Sequence, residues 1–297
     1  MREKMAPYSR TEKWALIVSI VNSFLFAVLT NYADVNALLR THVFWDTLFD
    51  GSIAHFYDNF AKANTHNCNL LSRLPLLIWY LPSWIVTKLS GGKSYTGFCY
   101  QMWHKLFLAV MFGLCIKSMI VICKHIGQQN TEVGKYCFLL MLVSPGVTLS
   151  LFYAGQDEIV YITFFMYALQ HYVQGRKKKY HFWAIGSIVC CPLMLMPYML
   201  LTIIEDKKVY SVLAKFLLAC IPQWFYAMFF SRCLIYRYTS SDSFGEWYFT
   251  RNNINMGYGT FSLLAVSLIL IFSAAYLYRP AAGNSEEKIK VFLYFSS

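Results

Sequence analysis

Apolar residues run continuously along most of this chain, in blocks too long for core strands. The blocks cover 14–30, 70–89, 103–123, 136–152, 158–173, 182–204, 212–235 and 261–277. Several reach the roughly 20 residues that a helix needs to cross a hydrocarbon layer. Lipid offers no water to bond backbone groups, so only helices or closed barrels span it. Continuous rather than alternating runs argue against a barrel. The pattern predicts an all-α fold, a polytopic transmembrane helical bundle of about eight apolar segments, and it excludes a soluble domain. A ninth apolar stretch opens at Ile289 but is too short to cross before Ser297, so the 278–297 tail reads as an interfacial stub or a truncated frame.

Polar residues concentrate between the first two blocks, over 31–69, the predicted outer loop. This interval holds Asp34, Asp46, Asp50 and Asp58 among aromatic residues. Within it, Val43-Phe44-x-x-x-Leu48-Phe49 has helical spacing, which predicts a short surface helix with its rings at headgroup depth. Asp50-Gly51 reads as the end of that helix. No linker or long repeat period appears, so 1–297 reads as one membrane domain.

Charge sets the orientation. Arg176-Lys177-Lys178-Lys179 is the strongest basic block and belongs in the cytoplasm. The basic stretch 1–13 before the first block reads as the cytoplasmic flank of a signal anchor. Gln156-Asp157-Glu158 then faces outside, yet full crossings by every earlier block would place it inside. One segment between Leu70 and Phe152 therefore crosses incompletely. Pro75 and Pro82 interrupt one such segment and Ser144-Pro145-Gly146 breaks another. Pro192 and Pro197 likewise make 182–204 either a kinked span or two half-helices.

Composition agrees with a bilayer environment. Charged residues are 14% of the chain, against about 25% in ordinary soluble domains. The net charge of +11 comes from cations clustered between apolar blocks. Anionic lipid favours them there, and no basic-aromatic module points to nucleic acid. The nine cysteines fall mostly inside apolar blocks and lack zinc-like pairing, so they read as small packing residues.

Ionisable groups near membrane depth are costly and thus functional candidates. Asp34 follows the first block by four residues, in reach of the outer surface. Its carboxylate suits a general base or metal ligand, although a solvated loop acid or helix cap explains a single Asp as well. Asp46 is a second candidate base. Gln156, Asp157 and Glu158 exceed what a helix cap needs, while Arg73 beside Pro75 either grips a phosphate or snorkels to headgroups. Lys105 and Lys117 share one block, and Lys117 sits deeper along it. The chain has no P-loop, HExxH, GxSxG or GxGxxG.

The order of these features resembles the GT-C-type polytopic glycosyltransferases, specifically bacterial relatives of the lipid-linked mannosyltransferases. The resemblance is carried by the acidic aromatic loop, Leu74-Pro75-Leu76-Leu77-Ile78-Trp79-Tyr80, Ser144-Pro145, Gly155-Gln156-Asp157-Glu158 and the segment around Pro197. It covers about 31–230. It implies a sugar donor on a polyprenyl phosphate, an acceptor glycan or lipid, and an outward-facing site in the bacterial cytoplasmic membrane. It further implies Asp34 or Asp46 as the catalytic base, with Arg73, Gln156, Asp157 and Glu158 binding substrate. Mg2+ or Mn2+ is the only cofactor it allows for. Ser187-Ile188-Val189-Cys190-Cys191-Pro192 departs from the pattern, because many relatives carry a cation before that proline. Two rivals remain: a transporter or flippase-like protein, which would place charge near the bilayer midplane, and a non-catalytic degenerate homologue.

Overall fold

The structure is a computed structural model and describes residues 10–29, 35–62, 70–91, 98–126, 158–206, 208–231, 253–255, 260–278, 287–288 and 291–292. The architecture is helical. In chain order the helices are α1 (Arg10–Leu29), α2 (Val35–Phe49), α3 (Phe56–Lys62), α4 (Leu74–Leu89), α5 (Phe98–Ile126), α6 (Ile159–Val173), α7 (Lys177–Cys190), α8 (Leu195–Glu205), α9 (Val209–Phe230) and α10 (Leu263–Tyr278). A two-stranded antiparallel ribbon, β1 (Asn253–Asn255) with β2 (Thr260–Ser262), leads into α10 and pairs Ile254 with Phe261. The predicted block 136–152 lies outside the described residues.

Among the described residues, two helices are long and apolar enough to cross a membrane: Phe98–Ile122 within α5, and α9. Shorter apolar helices cover Leu74–Leu89, Ile159–Val173, Pro192–Glu205 and Ser267–Leu277. At 16 residues, α4 rises only about 24 Å, short of the roughly 30 Å hydrocarbon core. It nevertheless runs unbroken. Pro75 sits in its first turn, where a missing N–H costs nothing, and Pro82 is absorbed inside it. The segment 182–204 resolves into two helices, because Pro192 opens a 3-10 turn (Pro192–Met194) between α7 and α8.

Packing divides the chain into two compact units, Met1–Trp45 with Asn69–Pro192, and Asp46–Cys68 with Leu193–Ser297. In the first unit α6 packs extensively against both α5 and α7. Its core joins Leu76 and Tyr80 of α4, Phe107, Leu108, Met111 and Cys115 of α5, Ile159 and Val160 of α6, and Cys190 of α7. Hydroxyls stitch these helices together. Thr163 Oγ1 lies 2.6 Å from Ile159 O and 3.1 Å from Met111 O, and Ser187 Oγ donates to Tyr161 O at 2.7 Å. Small hydroxylated residues do this in bundles that have no water to fall back on.

The joint between α4 and α5 is a reciprocal indole clamp. Trp79 Nε1–H donates to Trp103 O and Trp103 Nε1–H donates to Trp79 O, both at 3.0 Å, with the rings stacked 4.8 Å apart. Trp45 Nε1–H adds a third bond, to Leu77 O at 3.0 Å. Pro82 cannot donate to the Ile78 carbonyl and loosens the ladder around it. The two indole donors meet the carbonyls on either side of that gap.

In the second unit α8 packs against α9 and α10, and the 3-10 turn Ile53–His55 packs against α9. The Tyr57 and Tyr226 hydroxyls are hydrogen-bonded, and the Tyr57 ring meets Phe230 edge-on at 5.1 Å. Lys215 bonds Asp206 at 2.6 Å and ties the start of α9 to the end of α8. The outward face of α9 presents Leu213, Leu217, Trp224, Phe225, Met228 and Phe229, each more than half exposed, while Ala219 and Phe230 are buried. Water would penalise an apolar face of this extent. A soluble surface helix shows the opposite arrangement.

Candidate functional site

Asp34, Gln156 and Asp157 lie outside the described residues; Asp46, Arg73 and Glu158 are described. Arg73 closes the 3-10 turn Leu70–Arg73 and occupies the N-cap position of α4. Its side chain is half-buried, with one guanidinium nitrogen withdrawn from solvent contact. The turn that carries it packs on α7. Glu158 is the N-cap residue of α6, is exposed, and makes no side-chain capping hydrogen bond. Its position still suits the helix macrodipole, which favours negative charge at an N-terminus.

These two residues stand beside one apolar cluster. Leu76, three residues after Arg73, is buried together with Ile159 and Val160, the two residues that follow Glu158, and with Cys190 at the end of α7. The start of α4, the start of α6 and the end of α7 thus each contribute to one apolar cluster. Arg73 places a guanidinium, and Glu158 a carboxylate, within three residues of it in the chain. A phosphate could be gripped by the first while the second orients a hydroxyl.

Asp46 belongs to the second unit. It is half-buried on the last turn of α2, where its carbonyl accepts the Asp50 N–H at 2.9 Å. The helix then stops as the sequence indicates. The Gly51 N–H reaches Leu48 O and the Ser52 N–H reaches Thr47 O at 2.8 Å, with Gly51 at φ +70°. This paired bonding across a left-handed residue is the usual glycine-terminated helix end. Asp58 pairs with His55 Nδ1 at 3.3 Å, a local contact one turn apart. Among the described residues no group of three or more His, Cys, Asp or Glu side chains converges to hold a metal.

Burial separates the two lysines. Lys117 is exposed, whereas Lys105 is 3% exposed and sits in the interior. Twelve positions along a helix rotate by about 120° beyond whole turns, so depth along the block does not decide which lysine faces inward. On the same face of α5, His104 is fully buried and Gln101 is 9% exposed. The spacing Gln101, His104, Lys105 carries that signal in the sequence, one helical face at i, i+3 and i+4.

Comparison with known proteins gave no match: no family model, curated protein or solved structure matches this chain.

Proposed function

We propose that this chain is a multi-pass integral membrane protein of GT-C type. In this reading it transfers a sugar from a polyprenyl-phosphate donor to a glycan or lipid acceptor on the outer face of a bacterial cytoplasmic membrane. The observation that carries the reading is that Leu76, three residues after Arg73, and Ile159, one residue after Glu158, belong to one buried apolar cluster. The outward apolar face of α9 supports the lipid setting.

The chemistry then follows from the residue types. Asp34 takes the proton from an acceptor hydroxyl. The freed oxygen attacks the anomeric carbon with inversion, and the bond to the donor phosphate breaks toward oxygen. Polyprenyl phosphate leaves as an anion, whose charge Arg73 meets. Gln156, Asp157 and Glu158 hold the sugar or acceptor hydroxyls. A carboxylate of ordinary pKa near 4 is a weak base, so this role needs partial desolvation at the interface to strengthen it.

The test is turnover of polyprenyl-phosphate sugars by the reconstituted protein. The expected outcome is transfer by wild type, loss of at least about 100-fold in Asp34→Asn, the usual scale for general base catalysis, and a smaller loss in Asp157→Asn, which removes a substrate contact. Undiminished turnover in both variants contradicts the assignment. One observation favours the transporter reading: Lys105 and His104 are buried on a membrane-length helix, as midplane substrate sites require. Substrate flux without turnover would decide for it.

A further inference from the structure

The turn between α6 and α7 carries the strongest basic block of the chain, and the glycosyl-transfer chemistry above makes no use of it. Arg176, Lys177, Lys178 and Lys179 are consecutive and all exposed. Gly175, at φ +70°, turns the chain there, and the Arg176 N–H bonds His171 O at 2.9 Å. The block is thereby fastened to the end of α6, and α7 begins at Lys177. Tyr180 marks the inward face of α7: it is fully buried, and its ring meets Tyr172 of α6 at 5.2 Å. Two positions along a helix rotate by about 200°, so Lys178 and Phe182 stand on the face opposite Tyr180. Phe182 is 69% exposed there, one turn beyond Lys178 and Lys179.

Nothing in the local fold calls for this charge. Cations are disfavoured at a helix N-terminus, and like charges within one turn repel. The first turn of α7 holds no acid, and Arg176 supplies no side-chain cap. The chain has no Asp or Glu at all between Glu158 and Glu205. Sequences depart from local preference in this way at functional sites, and the complement of such a block is anionic. Topology alone asks for cations on the cytoplasmic side. It does not ask for an exposed aromatic ring on the same face. Cations beside an exposed ring match a bilayer surface, where headgroup phosphates overlie the acyl boundary.

We infer that the α6–α7 turn is a docking surface for anionic phospholipid headgroups, made by Arg176, Lys178 and Lys179 with Phe182 beside them. The cations bond headgroup phosphates, and Phe182 enters the acyl boundary. The inference rests on the membrane reading and not on glycosyl transfer.

The test titrates dioctanoyl phosphatidylglycerol into the full-length protein in dodecyl maltoside, with dioctanoyl phosphatidylcholine as the neutral comparison. Bound lipid is counted by native mass spectrometry. Wild type should bind the anionic lipid at least about tenfold tighter, because each cation near an anionic surface is worth roughly fivefold. Arg176→Gln/Lys178→Gln/Lys179→Gln should lose that preference. Lys88→Gln/Lys117→Gln/Lys208→Gln removes the same charge from exposed positions elsewhere and should keep it. Glycerol phosphate, which has no acyl chains, should not displace the lipid. Should the first triple variant fail to fold, Lys178→Gln alone should weaken binding roughly fivefold. No preference in wild type, undiminished preference in the folded basic-turn variant, equal loss in the control variant, or displacement by glycerol phosphate overturns the surface. A wild type that stays monodisperse without detergent overturns the membrane reading and this inference with it, which sets that failure apart.

Discussion

On α2 several polar side chains are buried while apolar ones are exposed, the reverse of a soluble surface helix. Thr41, His42 and Thr47 of α2 are buried while Leu48 and Phe49 of the same helix are exposed. Hydropathy alone marks such positions as apolar or polar, and their facing follows only from the solvent. Lys105 and Lys117 make the point most sharply, since the inward one is the one nearer the end of its block. Backbone conformation was easier to read at Asp50-Gly51, where the helix ends as its sequence indicates, and the same kind of ending recurs later in the chain. Gly175 ends α6 at φ +70°, with the Arg176 N–H bonded to His171 O and the Gly175 N–H to Tyr172 O, both at 2.9 Å. An added Cβ would meet nothing within 4 Å, so the penalty of Gly175→Ala is conformational alone. It should cost about 1 kcal/mol, read by thermal unfolding in detergent. Gly175→Asn should cost less, because Asn tolerates the left-handed region.

Helices came from the sequence with small shifts in their bounds. The predicted 212–235 is α9 (Val209–Phe230), and 261–277 is α10 (Leu263–Tyr278) after a strand that opens the same apolar run. The predicted surface helix is longer than Val43 to Phe49 indicated, because Val35–Phe49 forms one helix. The break in 182–204 was legible from Pro192, since proline removes a donor and crowds the preceding turn. What could not be read was how α4 is tied to its neighbours around Pro82. The Leu77 and Trp79 carbonyls are met by indoles from 32 and 24 residues away in sequence, contacts that no local pattern announces. Trp103→Phe keeps an aromatic ring and removes the donor to the Trp79 carbonyl. It should destabilise the protein by about 1–3 kcal/mol. Lys215→Met, which breaks the partly exposed pair with Asp206, should cost no more than about 1 kcal/mol. Side-by-side melts of the two variants test this order.

For the whole molecule, the apolar blocks gave the helical class and the outward face of α9 agrees with a lipid surround. Of the candidate site, only the helix starts at Arg73 and Glu158 were legible. Proline and acidic punctuation marked Arg73 and Glu158 as helix starts, and packing brings those two starts to one cluster. Which distant elements share a cluster depends on tertiary contacts, and a single sequence does not encode these as a pattern. The central claim of the account is that the acidic first loop lies on the outer face, where a lipid-linked donor is reached. Asp34→Cys and Asp46→Cys, each introduced into a chain whose nine native cysteines are replaced by Ala or Ser, test this directly in intact cells with a membrane-impermeant maleimide. The account predicts labelling at position 34 from outside, without lysis. Labelling there only after the membrane is opened would contradict it.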